Sequence, residues 1–288
     1  TLTLTDPCLT ASGRTYRCVL TTTCGPSPVT SDGATLTVTP QPVATFSYPG
    51  NPYCPNASNP LPVFSGGGIA GTFSSSSGLV FANILTGEID IAASTPGSYT
   101  ITNTIAPAGG CGEVTATTPF EIISSLTWTG SVNSDWNEPG NWICNYIPNI
   151  NMSVSVPDVS NNPVISTGLN AEVKNLTINP GASLIVDGNS LRISGDITNN
   201  GTLNAANGTV EMSGSATQTI SSNTFDNNTI NNLIINNTAG VILLDSLKIS
   251  GIVTLENGNL TTGGYLTLLS SATQTAMIAG SGNGSLSG

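Results

Sequence analysis

Leu191-Arg192-Ile193-Ser194-Gly195 recurs 56 positions later as Leu247-Lys248-Ile249-Ser250-Gly251. Ser215-Ala216-Thr217-Gln218-Thr219 returns at the same offset as Ser271-Ala272-Thr273-Gln274-Thr275. Asn175-Leu176-Thr177-Ile178-Asn179 matches Asn232-Leu233-Ile234-Ile235-Asn236 at 57. Three ordered matches at nearly one offset mark an internal repeat. Inside each copy, apolar residues alternate in short runs such as Leu176/Ile178, Leu184/Val186, Leu191/Ile193 and Val210/Met212. Alternation places each pair on one face of a strand, and Asn-Gly, Gly-Asn and Pro-Gly turns separate the runs. Strands this short, without crossover helices, predict a parallel β-solenoid over residues 143–288. At roughly twenty residues per coil, one repeat spans about three coils. With coils about 4.8 Å apart, the segment forms a rod roughly 35 Å long. Leu, Ile and Val fill it, while Thr, Ser and Asn face outward and form ladders.

Immediately before the solenoid, the run from Trp128-Thr129-Gly130 to Asp135-Trp136-Asn137-Glu138-Pro139-Gly140-Asn141-Trp142 holds all three tryptophans of the chain. A solenoid end left uncovered exposes both its core and a strand edge. Tryptophan is usually highly buried. Residues 125–142 therefore read as a joint and cap, with Trp128, Trp136 and Trp142 covering the first coil. The competing reading has their ring faces exposed and stacked on sugars or cations.

Residues 41–124 read as one small β-sandwich. Short strands are expected at 43–48, 63–64, 71–74, 79–82, 88–92, 98–104 and 118–123, separated by Gly and Pro clusters. Cys54 and Cys111 are its only cysteines, which predicts a disulfide closing a loop of nearly sixty residues. In the chain-entropy model that is worth roughly 4 kcal/mol. Cys144 is expected to find no partner within the solenoid, since no cysteine follows it, and Cys8, Cys18 and Cys24 are left unassigned. Residues 1–40 read as strands at 1–5, 15–22 and 34–39, with a turn at 24–28. Tyr16-Arg17-Cys18 has the spacing of a tyrosine corner, although Ser12 and Arg14 replace the usual upstream Asp and Gly.

Composition narrows the function. The chain has no histidine, which removes Ser-His-Asp and Cys-His catalysis and the commonest zinc ligand. Its six cysteines include no C-x-x-C pair, and no calcium-loop motif occurs. We thus expect no cofactor and no metal. A net charge of -11 argues against nucleic acid and anionic membrane as partners. No apolar run reaches the roughly 18 residues of a membrane span. A pectin-lyase-like reading of the solenoid needs clustered Asp beside bases. Its only bases are Lys174, Arg192 and Lys248, read as isolated solvated charges, and Asp187, Asp196, Asp226 and Asp245 scatter among turns. Glu88 and Asp90 share a strand face and read as solvated. Triplets such as Asn56-Ala57-Ser58 and Asn207-Gly208-Thr209 are expected from composition alone.

The Trp run, with Val154–Pro157, Pro163-Val164-Ile165, Asn175–Ile178 and Gly181-Ala182-Ser183-Leu184, resembles the solenoid part of very large cell-surface proteins of Bacteroidota. These include gliding-motility adhesins and other substrates of the type IX secretion system. Residues 41–124 resemble their immunoglobulin-like modules through Gly71-Thr72-Phe73, Thr86-Gly87-Glu88-Ile89 and Pro96-Gly97-Ser98-Tyr99-Thr100. Residues 1–40 resemble the end of another such module. Asp245-Ser246-Leu247 is similar to the O-glycosylation signal of the same group. The resemblance implies an all-β chain of immunoglobulin-like modules leading into a solenoid. It implies a non-enzymatic, extracellular structural and adhesive role, with further modules of the same polypeptide as partners. The alternative is a module that binds or cleaves surface polysaccharide. On this reading the native polypeptide is expected to begin before Thr1 and to continue past Gly288.

Overall fold

The computed structural model describes residues 9–21, 23, 25, 28–108, 111–166 and 170–288. The chain is all-β, 47% strand and 4% helix, and contains a parallel β-solenoid of about six turns. At about 4.8 Å per coil this gives a stack near 29 Å, slightly shorter than expected.

The solenoid begins earlier than its sequence boundary. Ser125–Thr127 pairs in parallel with Ser153–Val156, which pairs with Leu176–Ile178 and then with Ile197–Asn199. The first coil therefore lies within the stretch read as a cap. Inward residues stand in columns. One runs Ala171, Leu191, Val210, Leu233 and Val253, each paired with the next coil, and ends at Ile278, which is exposed. Beside it run Val173, Ile193, Met212, Ile235 and Leu255. Leu191, Val210, Leu233 and Val253 are fully buried. Period-two alternation thus does what it should, because every inward side chain meets its counterpart one coil away.

The repeat falls one face short of three coils. Two coils above Leu191 is Leu233, and the next residue of that column is Val253. Leu247, the sequence copy of Leu191, stands instead on the preceding face, below Leu266. The reason is coil length: Ala171 pairs with Leu191, 20 positions on, but Ala205 pairs with Ile230, 25 positions on. The shift separates the Ser-Ala-Thr-Gln-Thr copies. Gln218 is buried. Its Nε2 donates to Ile193 O (3.0 Å) and Gly195 O (2.7 Å), and its Oε1 accepts from Gly214 N and Asn237 Nδ2. Gln274 is exposed and reaches Asn231 Oδ1.

What the repeat does preserve is a clasp between coils. Asn175 Oδ1 accepts from Asp196 N (2.9 Å), and Asn232 Oδ1 accepts from Ile252 N (2.9 Å). A Cβ on Gly195 would overlap Asn175 Oδ1, and one on Gly251 would overlap Asn232 Oδ1. The Asn of one motif and the Gly of the next are therefore a matched pair. Gly195→Ala should cost about 0.5–1.5 kcal/mol, the net range for one hydrogen bond, since this contact is exposed to solvent. In a double-mutant cycle with Asn175→Ala the two losses should fall short of additivity. Strict additivity in chemical denaturation would rule the clasp out.

Residues 41–124 form an antiparallel unit with its own core of Phe46, Phe73, Ile89, Ile91, Ile101, Phe120 and Ile122. All seven expected strands are present, at Phe46–Ser47, Val63–Phe64, Thr72–Ser75, Phe81–Asn83, Glu88–Ile89, Gly97–Ile105 and Val114–Ile122. Gly97–Ile105 lies between Thr72–Ser75 and Val114–Ile122 in a three-stranded sheet. The other four pair as two short hairpins. Burial, with Tyr53 beside it, pushes the Tyr48 hydroxyl above the usual phenol range. That hydroxyl donates to Gly87 O at 2.5 Å.

Before this unit, Thr15–Tyr16 pairs with Ala34–Thr35, and Val19–Leu20 with Val29–Thr30. The expected strand at 1–5, Cys8, Cys24 and most of the 24–28 turn lie outside the described residues. Cys18 is exposed. Among the described residues the two-residue pairings around it build no apolar layer for it to enter. The corner geometry occurs at Tyr99 instead, whose hydroxyl donates to Thr95 O.

Candidate functional site: the tryptophan joint

The unit and the solenoid meet over a short span. Only Ile123 and Ser124 separate Val114–Ile122 from Ser125–Thr127, and Ile123 packs on the solenoid core. Residues 51–53 lie along 121–123. Tyr53 N donates to Glu121 O (2.8 Å), Ile123 N to Tyr53 O (2.9 Å) and Glu121 N to Asn51 Oδ1 (2.6 Å). The Tyr53 ring stacks on Phe120 at 5.0 Å. One residue further, Cys54 is disulfide-bonded to Cys144, with Cα atoms 5.7 Å apart and 90 positions between them in sequence. Asn56 Nδ2 adds a hydrogen bond to Cys144 O at 3.1 Å.

This overturns the expected Cys54–Cys111 bond. Cys111 is free and half-buried at the tip of the hairpin formed by Gly97–Ile105 and Val114–Ile122. Cys54 sits by Ile122, at the other end of those nine-residue strands. About 27 Å of strand separates them, far beyond the roughly 7 Å limit for bridged Cα atoms. The partner of Cys54 comes from the solenoid side because residues 51–53 follow the last strand of the unit to the joint. Cys144 has no partner within the solenoid, as expected, but it is not free.

Inside the joint the three tryptophans are 0 to 2% exposed. Trp136 and Trp142 meet edge to face at 4.6 Å, Trp128 and Trp142 at 5.0 Å, and Trp128 stacks with Trp136 at 6.4 Å. Trp128 Nε1 donates to Asn161 O (2.7 Å), and Trp142 Nε1 to Trp136 O (2.9 Å). Trp136 Nε1 is buried without an acceptor. Trp136→Phe is therefore expected to cost less than Trp142→Phe, which strands a carbonyl. Comparing the two midpoints in urea checks this.

Asn141 is the polar centre of the loop and is fully buried. Its Oδ1 accepts from Val132 N and Asn133 N, and its Nδ2 donates to Asn133 Oδ1 and Asp135 O. Its carbonyl accepts from Thr129 N at 2.7 Å. All four side-chain hydrogen-bonding positions of an amide are thus used. Gly130 has φ +56, and a Cβ there would run into Asn161 O. Asn161 Nδ2 in turn donates to Gly130 O at 2.7 Å. The spaced Trp-Thr-Gly, Asp-Trp-Asn and Gly-Asn-Trp triplets are the parts of one closed loop. Asp135 serves it by accepting from Asn137 N at 2.9 Å.

The other candidate residues are not gathered here. Arg192 is not an isolated charge as read. It lies 3.3 Å from Glu172 and 3.2 Å from Glu211 on the neighbouring coils, because the register stacks these three positions. Its Nε is close to Glu211 but not aligned for a hydrogen bond. With the arginine side chain 38% exposed, solvent screens the ladder, and Arg192→Ala should cost under about 1 kcal/mol. A larger loss, or one unaffected by salt, would contradict this. Lys174 and Lys248 are exposed. Asp226 lines a polar cleft of about 270 Å³ with Asn199, Thr202, Asn223 and Asn227. Among the described residues no group of three or more His, Cys, Asp or Glu is placed to hold a metal. No helix among them is long and apolar enough to cross a membrane.

Residues 127–245 match the family model described as Domain of unknown function (DUF8693). The match starts at the tryptophan loop and runs through the solenoid to Asp245. No curated protein and no solved structure matches the chain.

Proposed function

We propose that this chain is a non-enzymatic, extracellular structural and adhesive segment of a large bacterial surface protein, in which immunoglobulin-like modules lead into a β-solenoid. Its role is to hold neighbouring modules at a set distance and orientation. The observation that carries this is the joint: a two-residue link, a strand clamp and the Cys54–Cys144 bond tie the antiparallel unit to the solenoid. The three tryptophans are spent on packing and present no ring face to a ligand. A disulfide suits an oxidising, extracellular compartment.

The immunoglobulin-like reading of residues 41–124 draws support from the central place of Gly97–Ile105 between Thr72–Ser75 and Val114–Ile122. That is the order of strands C, F and G in such sandwiches. Tyr99, near the start of the sixth strand, bonds back to Thr95 O as a tyrosine corner does. The Bacteroidota and type IX secretion reading rests on the resemblance alone.

The polysaccharide reading has one feature in its favour, the cleft of Asn199, Thr202, Asn223, Asp226 and Asn227. Amides and a carboxylate suit sugar hydroxyls, but Phe225 in its wall is buried and offers no face for stacking. A glycan array and a depolymerisation assay on the purified chain separate the two. The spacer reading expects no polymer cleavage and no glycan bound through this cleft. Glycan binding abolished by Asp226→Ala would replace it.

A further inference from the structure

We propose that the Cys54–Cys144 disulfide is a tension bypass, carrying load across the joint so that the tryptophan box and the three-stranded sheet are never pulled. This rests on the spacer reading, in which the chain is stretched between its neighbours. Load arriving from the N-terminal side runs through residues 46–53, held by the pairing of Phe46–Ser47 with Val63–Phe64 and by the clamp of 51–53 on 121–123. The next residue is Cys54. Load leaves on the other side through Asn145 toward Ser153–Val156, directly after Cys144.

Everything from 55 to 143 is a closed loop in parallel with one short covalent link. That loop holds Gly97–Ile105, Val114–Ile122, Ser125–Thr127, Asn141 and all three tryptophans. Without the link, tension would pass through Ile123 and Ser124. It would then act on Val114–Ile122, the edge strand of its sheet, whose outer side is held only near its end, by the 51–53 clamp. An edge strand pulled from its end unzips one hydrogen bond at a time, and its departure would uncover Phe120 and Ile122. With the link in place, the spacing set by the joint persists under load.

Single-molecule pulling of the full chain by its two ends tests this. Oxidised wild type should unravel with segment 55–143 missing from its final contour. Dithiothreitol donates two electrons and two protons to the S–S bond, leaving two thiols and a cyclic disulfide of the reagent. Reduction of the folded chain should then add about 32 nm, at up to about 3.6 Å per extended residue. Cys54→Ser and Cys144→Ser should each show the same gain without reductant, and Cys111→Ser should show none. Full contour from oxidised wild type, or a gain in Cys111→Ser alone, would overturn the bypass. Contour length is read whatever the protein binds. A chain that passes this test but binds glycan through the Asp226 cleft would sink the spacer reading and leave the bypass standing.

Discussion

Trp142→Ala should lower the stability of the solenoid by about 3–5 kcal/mol, the range for removing a large aromatic from a packed core. Two losses coincide at this position. The ring is 2% exposed and touches both other indoles edge to face, contacts worth about 0.5–1.5 kcal/mol each beyond burial. Its Nε1 satisfies Trp136 O, which would be left without that donor. Its backbone bridge to Trp128 survives the substitution, so the loss reads the filling of the first coil rather than its closure. Nothing pairs with the outer side of Ser125–Thr127 among the described residues, so no second layer takes over. Chemical denaturation followed by tryptophan fluorescence and by far-ultraviolet circular dichroism measures the effect. A loss below about 1 kcal/mol would mean that the ring fills no core.

Removing the disulfide should have an effect of similar size. The Cys54→Ser, Cys144→Ser pair opens a loop whose ends are 90 positions apart. In the chain-entropy model such a loop is worth between 4 and 5 kcal/mol, about what a 100-residue loop gives. The loss should fall on the antiparallel unit and the first coil together, because the loop includes strands of both. The coils beyond Leu176, whose contacts lie outside the loop, should melt as before. Hydrogen exchange resolves the two regions. Protection lost throughout the solenoid would show that the bond supports more than the joint, whereas unchanged protection at 114–127 would show that it supports nothing. Cys111→Ser is the control and should leave both regions alone, since Cys111 lies at the far tip of the hairpin.

Much of the architecture was legible because it follows from local patterns. Leu176/Ile178, Leu191/Ile193 and Val210/Met212 alternate with period two, and each pair is buried. Turn residues between short apolar runs left no room for helices, and parallel stacking was the remaining way to bury such runs. Burial of Trp128, Trp136 and Trp142 followed from their size and from the need to fill the first coil. The seven strands of residues 41–124 were likewise readable one by one.

The features that decide how the parts are joined depend on which distant residues meet, and no local pattern records that. Cys54 and Cys111 share a module in sequence, yet nine-residue strands hold them apart, while the path of residues 51–53 delivers Cys54 to Cys144. Arg192 looked solitary because Glu172 and Glu211 become its neighbours only through coil register. Asn141 was visible inside Gly-Asn-Trp, but an asparagine is as often a turn residue as a buried hub, and only closure of the loop brings four partners within reach. The 56-residue repeat preserved its Asn-Gly clasps and lost its phase, since the longer path from Ala205 to Ile230 moved the second copy by one face. Alternation is a property of neighbouring residues and survives in the sequence. Register, coil length and disulfide pairing are properties of the closed three-dimensional path, and exist only once the chain has folded along it.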